Sequence, residues 1–172
     1  MPALLDLSGK TGLVIGVANT ASIATGCARA FHAAGARQIL TYLNAKAEPH
    51  VRPVAESVGA DALLPYDVTE PAQLDALVEA VADRFGGLDF MLHSVAFAPK
   101  DDLHAPVIDC SAEGFAEAMD VSCHSFIRTA KALLPLLRPG ASLLTVSYYG
   151  AEKVVDHYNV MGPVKAALEA SV

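Results

Sequence analysis

The sequence has no tryptophan, only three cysteines, and 12 Lys and Arg against 19 Asp and Glu, for a net charge of −7. The basic residues are scattered singly, which argues against nucleic acid as the main partner, because phosphate neutralisation needs clustered positive charge. Cys27, Cys110 and Cys123 form no Cys-x-x-Cys pair, and any disulfide scheme would leave one thiol over. We therefore expect a reducing compartment.

Long apolar runs are also lacking, since the sequence contains no stretch of about 18 or more uncharged apolar residues, the length of a membrane span. Asp6 and Lys10 lie where a signal peptide would need its apolar core. The six histidines show neither His-x-His nor His-x-x-x-His spacing. We expect a cytoplasmic protein with no membrane association and no metal site.

What the 172 residues do contain is a regular alternation of short apolar runs and segments at helical spacing, with 53% hydrophobic residues. The predicted strands are 11–16, 37–42, 60–66, 88–93 and 142–147. The predicted helices are 22–34, 49–58, 70–85, 111–137 and one from about 156 onward, with a loop at 96–109 and a turn at 138–140. This order predicts an α/β fold, a Rossmann-type doubly wound parallel β-sheet with helices on both faces, as a single dinucleotide-binding domain over residues 1–172.

Ligands of open α/β sheets bind outside the carboxyl ends of the strands. The first predicted strand ends at Gly16, and the segment that follows runs through Ala18, Ser22 and Ile23 to Gly26. A glycine permits a tight turn, and small residues let the backbone approach a phosphate at a helix N-terminus. The segment lacks the Gly-x-Gly-x-x-Gly pattern, and the alternative is an ordinary turn with Ser22 as N-cap.

Two further motifs follow predicted strands. Asp67 and Val68 come after the third strand, and the segment His93-Ser94-Val95-Ala96 ends the fourth. An adenine ring and a ribose would rest there if the first turn held a pyrophosphate. By itself, Asp67 fits a helix cap near Glu70 better than a ligand contact.

A tyrosine and a lysine follow the fifth predicted strand. Tyr158 and Lys165 are seven residues apart, and on a helix seven steps of about 100° end only about 20° short of two turns. A nearby ammonium lowers the pKa of a phenol, and a lysine on a ribose can orient a nicotinamide at the same time. The pair suits reduction beside a carbonyl. The alternative is a packed Tyr158 and a solvated Lys165, and the position at the carboxyl end of the strand favours the functional interpretation.

The sequence resembles the short-chain dehydrogenase/reductase superfamily, and within it the bacterial NADH-dependent enoyl-(acyl-carrier-protein) reductase family. Typical short-chain dehydrogenases place their Tyr and Lys four apart, and six intervening residues mark the enoyl reductase branch. The resemblance begins at Ser8 and is most specific in the segments GVAN (16–19), SIA (22–24), HSVAFAP (93–99), SYYGAE (147–152), YNVMG (158–162) and KAALE (165–169).

This resemblance implies NADH-dependent reduction of the trans-2 double bond of enoyl thioesters carried on acyl carrier protein, in fatty acid biosynthesis. Tyr158 would bond the thioester oxygen as enolate-like charge develops, Lys165 would hold the nicotinamide ribose, and Tyr148 would lie beside substrate and nicotinamide. The NAD contacts it implies are Gly16, Ala18, Ser22 and Ile23 at the pyrophosphate turn, Asp67 and Val68 at the adenine, and Ser94, Val95 and Ala96 at the fourth strand.

The resemblance also implies a homotetramer whose contacts involve the predicted helix 111–137 and the helix of Tyr158. Members of the family continue into further strands and a substrate-covering segment, so we expect a chain truncated at its C-terminus and inactive or poorly stable alone. No acidic residue follows the second strand, where Leu43 stands, so the preference for NADH over NADPH comes from the family only. The alternatives are a short-chain dehydrogenase acting on a ketone or alcohol, and a nucleotide-binding fragment without turnover.

Overall fold

The computed structural model describes residues 5–172. These residues form two compact units. The first contains the described residues up to Ser94 together with Ala132–Leu144, and the second contains Val95–Lys131 and Thr145–Val172. That residues 1–172 act as one dinucleotide-binding domain stays a prediction.

A five-stranded sheet with the order β3-β2-β1-β4-β5 organises the fold. Strand β1 pairs in parallel with β2 and with β4, and β2 pairs in parallel with β3. The central strand β1 is buried along its whole length, which is why it is a continuous apolar run. The predicted parallel sheet of the Rossmann type is confirmed. The strands are β1 (Thr11–Ile15), β2 (Arg37–Tyr42), β3 (Ala62–Pro65), β4 (Leu88–His93) and β5 (Leu137–Thr145).

Three helices connect the strands of the first unit: α1 (Ile23–Ala33), α2 (Glu48–Ser57) and α3 (Pro71–Phe85). The chain steps outward from β1 to β2 and β3, and then returns past β1 to β4. Because such crossovers are right-handed, α1 and α2 cover one face of the sheet and α3 covers the other. The three helices lie within one residue of their predicted bounds.

The fifth strand differs from its prediction. It begins at Leu137, so the predicted turn 138–140 lies inside the strand and the strand ends before residue 147. The guanidinium of Arg138 holds this segment by donating to Thr11 Oγ1 at 2.6 Å, Asp89 Oδ2 at 2.8 Å and the Phe85 carbonyl at 2.8 Å. Pro139 is tolerated because β5 is an edge strand.

The helices of the second unit also correct the predictions. A short helix α4 (Lys100–His104) and a 3₁₀ turn occupy the predicted loop 96–109. The predicted helix 111–137 is instead α5 (Ala112–Met119), a π-helical turn (Asp120–His124) and α6 (Ser125–Leu133), whose last residues belong to the first unit. A π turn inserts one residue into the helical repeat, and sequence periodicity does not register it.

The last helix, α7, covers Met161–Glu169 and begins later than predicted. Tyr158 therefore precedes the helix, and the prediction that Tyr158 and Lys165 share a helix face is wrong. The residues on either side of Tyr158 are left-handed, with φ of 65° at His157 and 36° at Asn159, and an α-helix excludes such residues. Within residues 5–172, no helix has the length and apolar character needed to cross a bilayer.

Candidate functional site

In the first unit, the turn after β1 brings Gly16 and Ser94 together. Gly16 has a φ of 93°, and a Cβ at this position would lie 2.0 Å from the Ser94 carbonyl oxygen. The Ser94 amide donates to the Ile15 carbonyl at 3.0 Å, which fixes the approach. Only glycine fits this turn, because both the backbone conformation and the available space exclude a side chain.

Ser22 takes the N-cap position of α1 with φ −69° and ψ 150°, but its hydroxyl accepts from no backbone N–H of the helix and lies 3.0 Å from the Thr25 hydroxyl. The hydroxyl accepts from the Ala18 amide at 3.4 Å and donates to the Asn19 carbonyl at 3.0 Å. The Ser22 side chain thus shapes the turn and leaves the first N–H groups of α1 to another acceptor. Ile23, the first residue of the helix, is 63% exposed. This arrangement suits an anionic group at the helix N-terminus.

Asp67 and Val68 follow β3, two strands away from β1 in the sheet. The Asp67 carboxylate accepts from the Thr69 amide at 2.9 Å and from the Thr69 hydroxyl at 2.7 Å. The cap position of α3 belongs to Glu70, so the interpretation of Asp67 as a helix cap is wrong and its carboxylate closes a local turn. Val68 is buried.

Val95 and Ala96 belong to the second unit, where the neighbouring residue Phe97 is held by Ser122. The Ser122 hydroxyl accepts from the Phe97 amide and donates to the Phe97 carbonyl, both at 2.8 Å. Ser122 is fully buried within the π-helical turn. One side chain therefore satisfies both backbone groups of Phe97 and fixes the segment that carries Val95 and Ala96.

The Tyr158 ring lies between Tyr148 and Gly150. The two tyrosine rings are 4.6 Å apart at their centroids and inclined at 55°. A Cβ at Gly150 would lie 2.3 Å from Tyr158 Cδ1, so the ring rests directly on the glycine. Any side chain at position 150 would collide with the Tyr158 ring unless the ring moved.

Burial raises the pKa of the Tyr158 phenol above its ordinary value, and the neighbouring Tyr148 raises it further. This is opposite to the lowered pKa that the sequence predicts from a nearby ammonium. At neutral pH the phenol keeps its proton. Tyr158 is therefore a hydrogen-bond donor, suited to an oxygen atom that gains negative charge.

Lys165 is 4% exposed, so the solvated alternative for this side chain is wrong. Its Nζ donates to the carbonyl oxygen of Val146 at 2.7 Å. Burial lowers the pKa of the ammonium from its ordinary value of 10.5. An ammonium has three N–H donors, so this group can hold sugar hydroxyls as well as the carbonyl.

A cavity of about 350 Å³ adjoins Tyr158 within the second unit. Aliphatic side chains and backbone form most of its wall, with Glu152 and Lys153 as the charged members. Among the described residues, no group of three or more His, Cys, Asp or Glu side chains could hold a metal ion. The other residues that line the cavity are Val107, Gly150, Ala151, Val154, Val155, Asn159, Gly162, Pro163 and Ala166.

Sequence reasoning missed the residues that hold this site in place. Ser122 lies 25 residues from its partner Phe97, and Asn159 lies 56 residues from its partner Leu103. No local pattern signals such contacts, because the π turn and the left-handed turn are set by tertiary structure. The run Ser147-Tyr148-Tyr149-Gly150 was a usable signal, and the structure shows that its glycine supports the Tyr158 ring.

The sheet order, the glycine turn after β1 and the tyrosine and lysine after β5 are typical of dinucleotide-dependent oxidoreductases. A family model described as Enoyl-(Acyl carrier protein) reductase matches residues 16–172. The NADH-dependent enoyl-(acyl-carrier-protein) reductase FabI of Aquifex aeolicus is 48% identical over 168 residues, which are 96% of this chain and 62% of that protein. The chain belongs to the enoyl-(acyl-carrier-protein) reductase family.

Solved structures agree with this assignment. The enoyl-(acyl-carrier-protein) reductase of Anaplasma phagocytophilum, in complex with NAD, gives a TM-score of 0.94 at 47% identity and covers 98% of this chain and 64% of its own. The Bacillus cereus enoyl-acyl carrier protein reductase, with NADP+ and an indole naphthyridinone, gives a TM-score of 0.93 at 41% identity. The match covers 98% of this chain and 66% of the Bacillus cereus chain. The chain thus spans slightly less than two thirds of the length of these relatives.

Proposed function

We propose that the protein to which this chain belongs reduces the trans-2 double bond of enoyl thioesters on acyl carrier protein, with NADH, in fatty acid biosynthesis. The observation that carries the proposal is the packing of the Tyr158 ring against Tyr148 and Gly150, where burial raises the pKa of the phenol and so favours its neutral form. A neutral phenol suits an oxyanion that forms during the reaction. The relatives named as NADH-dependent enoyl-(acyl-carrier-protein) reductases support the same reaction.

The reaction defines what Tyr158 does. NADH, when bound, supplies the hydride that adds to the β-carbon of the enoyl thioester. The electron pair of the double bond then moves toward the thioester carbonyl, whose oxygen takes up enolate-like negative charge. Tyr158 donates a hydrogen bond to this oxygen more strongly in the transition state than in the ground state, which lowers the barrier. A proton taken up from solvent at the α-carbon completes the saturated thioester.

Lys165 and Tyr148 support this step. Lys165 binds the hydroxyls of the nicotinamide ribose, and its bond to Val146 holds the ammonium in one direction while it does so. Tyr148 is 50% exposed and packs on the Tyr158 ring, so it restricts that ring and offers a hydroxyl to the substrate.

The remaining cofactor contacts are proposed residue by residue. In the first unit, the Gly16 turn and the uncapped N–H groups at Ile23 fit a pyrophosphate, because they present backbone donors at a helix N-terminus. The other contacts proposed for the cofactor are Ala18 and Ser22 at this turn, Asp67 and Val68 at the adenine, Ser94 after β4, and Val95 and Ala96 in the second unit.

We propose NADH as the preferred reductant. The proposal rests on the relatives, because Leu43, which follows β2 and is 51% exposed, is not the carboxylate that would select a free ribose 2′-hydroxyl. Many relatives are named as NADH-dependent, whereas the Bacillus cereus structure holds NADP+. Equilibrium titration of both reduced nucleotides tests the choice, and tighter binding of NADPH would contradict it.

We also propose a homotetramer located in the cytoplasm. Phe115 on α5 and Ile127 on α6 are 41% and 42% exposed, and apolar side chains of this size on helix surfaces suit subunit contacts. The three cysteines are free thiols, which fits a reducing compartment. Light scattering of the purified protein tests the tetramer, and a monomeric mass would contradict it.

The test of the function compares substrates on the intact protein. We expect oxidation of NADH that depends on crotonyl-CoA, and no comparable oxidation with acetoacetyl-CoA, whose ketone suits a typical short-chain dehydrogenase. Activity with the ketone alone would overturn the proposal in favour of a ketone reductase. NADH binding without turnover of either compound would indicate a nucleotide-binding module.

A further inference from the structure

Asn159 connects the turn of Tyr158 to a distant segment. Its side-chain Nδ2 donates to the carbonyl oxygen of Leu103 at 2.7 Å, within the second unit. Leu103 belongs to α4, which ends at His104, so its carbonyl has no further helical turn to bond with. The Asn159 amide supplies a donor for a carbonyl at the end of this helix.

The short helix α4 depends on hydrogen bonds of this kind. It has five residues, none of which is buried, so apolar packing contributes little to its order. In a second hydrogen bond to this helix, the Asp102 carboxylate accepts from the Ser111 amide at 2.6 Å. Asn159 and Ser111 thus hold α4 from two different segments of the chain, and the loss of either hydrogen bond loosens it.

The backbone of Asn159 takes a conformation that few residue types tolerate. Asn159 has a φ of 36° and His157 a φ of 65°, so the chain turns sharply on both sides of Tyr158. Asparagine tolerates the left-handed region better than most residues. One residue therefore accommodates the turn that keeps Tyr158 outside α7 and also bonds this turn to α4.

We propose that Asn159 is a positioning residue that couples the order of α4 to the orientation of the Tyr158 phenol. The coupling runs through the hydrogen bond from Asn159 Nδ2 to the Leu103 carbonyl. Asn159 directly follows Tyr158 in the chain, so this bond also restrains the backbone of Tyr158. Disorder of α4 then loosens the Tyr158 turn, and the reverse. This proposal rests on the proposed function for its catalytic consequence but not for its structural one.

The decisive variant is Asn159→Asp. Aspartate also tolerates the left-handed backbone, but its carboxylate cannot donate to Leu103 at about pH 8. A protonated carboxyl can donate a hydrogen bond. A carboxyl that faces a carbonyl oxygen binds its proton more tightly, so lowering the pH to about 5 should restore the bond in part. Glu152, Lys153 and Tyr158 share the cavity with Asn159, and the other ionisable groups near the bond are His157 and the α4 residues Lys100, Asp101, Asp102 and His104. All of them are present in both proteins, so each result is taken as the ratio of variant to wild type at the same pH.

Hydrogen exchange is the first measurement, on the intact protein without substrate. At about pH 8 we expect the peptides of α4 and of the Tyr158 turn to exchange about tenfold faster in Asn159→Asp than in wild type, and this ratio to fall at about pH 5. Asn159→Gly adopts the left-handed backbone without strain and also lacks the side-chain donor, so both segments should exchange fast at both pH values. Unchanged exchange in either segment, or faster exchange in only one of them, would overturn the coupling.

The kinetic measurement follows with crotonyl-CoA and NADH. We expect kcat of Asn159→Asp to be about tenfold below wild type at about pH 8 and to recover toward it at about pH 5, with a smaller change in KM for NADH. Asn44→Asp is the charge control for kcat, because the Asn44 side-chain oxygen only accepts, from the Lys46 and Ala47 amides, and a carboxylate does the same. Its KM for NADH is left out of the comparison, because Asn44 follows Leu43 at the end of β2. A pH-independent loss in Asn159→Asp would overturn the proposal. If wild type reduces no enoyl thioester, the proposed function fails, and hydrogen exchange still decides the structural coupling.

Discussion

Lys165 donates from Nζ to the carbonyl oxygen of Val146 at 2.7 Å, although the lysine side chain is 4% exposed. Val146 directly follows β5, so this bond holds the ammonium at the carboxyl end of that strand. A buried ammonium is costly to keep, and its pKa is accordingly lowered. Such a cost is typical of a group retained for binding or catalysis.

Lys165→Met tests whether this cost is real. We expect the variant to be more stable than wild type by about 1 kcal/mol near neutral pH, because an apolar side chain of similar length replaces a desolvated charge. The same variant should bind NADH more weakly. Thermal melting and NADH titration measure the two effects, with the exposed Lys131→Met as the control for removing one positive charge.

The pH dependence of this difference has a definite sign. The folded pKa of Lys165 lies below its ordinary value of 10.5, so the unfolded chain binds the proton more tightly. The penalty in wild type is therefore complete below the folded pKa and disappears as the pH rises toward 10.5. The stability advantage of Lys165→Met should shrink over that range. An advantage that grows with pH would contradict the assignment.

Gly150→Ala tests the support of the Tyr158 ring. The new methyl group would overlap Tyr158 Cδ1, 2.3 Å away in the present structure, so the ring must move. We expect kcat for crotonyl-CoA reduction to fall about 100-fold, since small displacements of a catalytic group have effects of this size. The affinity for NADH should change much less. Wild-type kcat in a folded Gly150→Ala variant would show that the position of the ring does not limit the reaction.

Ser122→Ala tests the double hydrogen bond to Phe97. Removing the hydroxyl leaves a backbone donor and a backbone acceptor without it, and we expect a loss of about 2–3 kcal/mol in the free energy of unfolding. Ser125→Ala is the matched control, because Ser125 is also fully buried and its hydroxyl donates to the Val121 carbonyl one helical turn back. Denaturant unfolding of both variants gives the comparison. Equal losses would show that the bond to Phe97 contributes nothing specific.

Asp89→Asn tests the charge cluster in the first unit. Partial burial opposes ionisation of Asp89, but hydrogen bonds from the Thr11 amide, Lys10 and Arg138 outweigh it and hold the pKa at about 2. Against an ordinary value of 3.8, this gives the carboxylate up to about 2 kcal/mol of stabilisation above pH 4. Wild type should lose that amount as the pH falls from about 5 to 2.

The Asp89→Asn variant should be less stable at neutral pH and should lack this acid-dependent loss. Denaturant unfolding between about pH 2 and pH 7 measures both. The exposed Asp83→Asn variant on α3 controls for the change in net charge and should follow wild type. The same acid dependence in Asp89→Asn as in wild type would show that other carboxylates cause it.

The sheet was predictable because its signals are local. Strands β2 and β4 have their predicted bounds, since a buried parallel strand is a short apolar run between polar turns. Gly16 was also predictable, because a tight turn after the first strand needs a glycine. The place of Tyr158 was not. Helical periodicity extends through residues 156–160, and only the left-handed residues His157 and Asn159 interrupt it.

The electrostatics of the candidate site were harder still to predict. Spacing alone paired the Tyr158 phenol with the Lys165 ammonium and predicted a lowered phenol pKa. In the structure, burial and Tyr148 raise that pKa, and Lys165 bonds to a backbone carbonyl. Desolvation depends on the whole surroundings of a group, and a sequence motif does not contain that information.

The most direct test of the central claim measures kcat and NADH affinity together in Tyr158→Phe. The variant keeps the ring that packs on Gly150 and Tyr148 and removes only the hydroxyl. We predict that crotonyl-CoA reduction slows by about 100-fold or more while the Kd for NADH stays within about twofold of wild type. A Tyr158→Phe protein that reduces crotonyl-CoA at the wild-type rate would contradict the role of the phenol as the oxyanion donor.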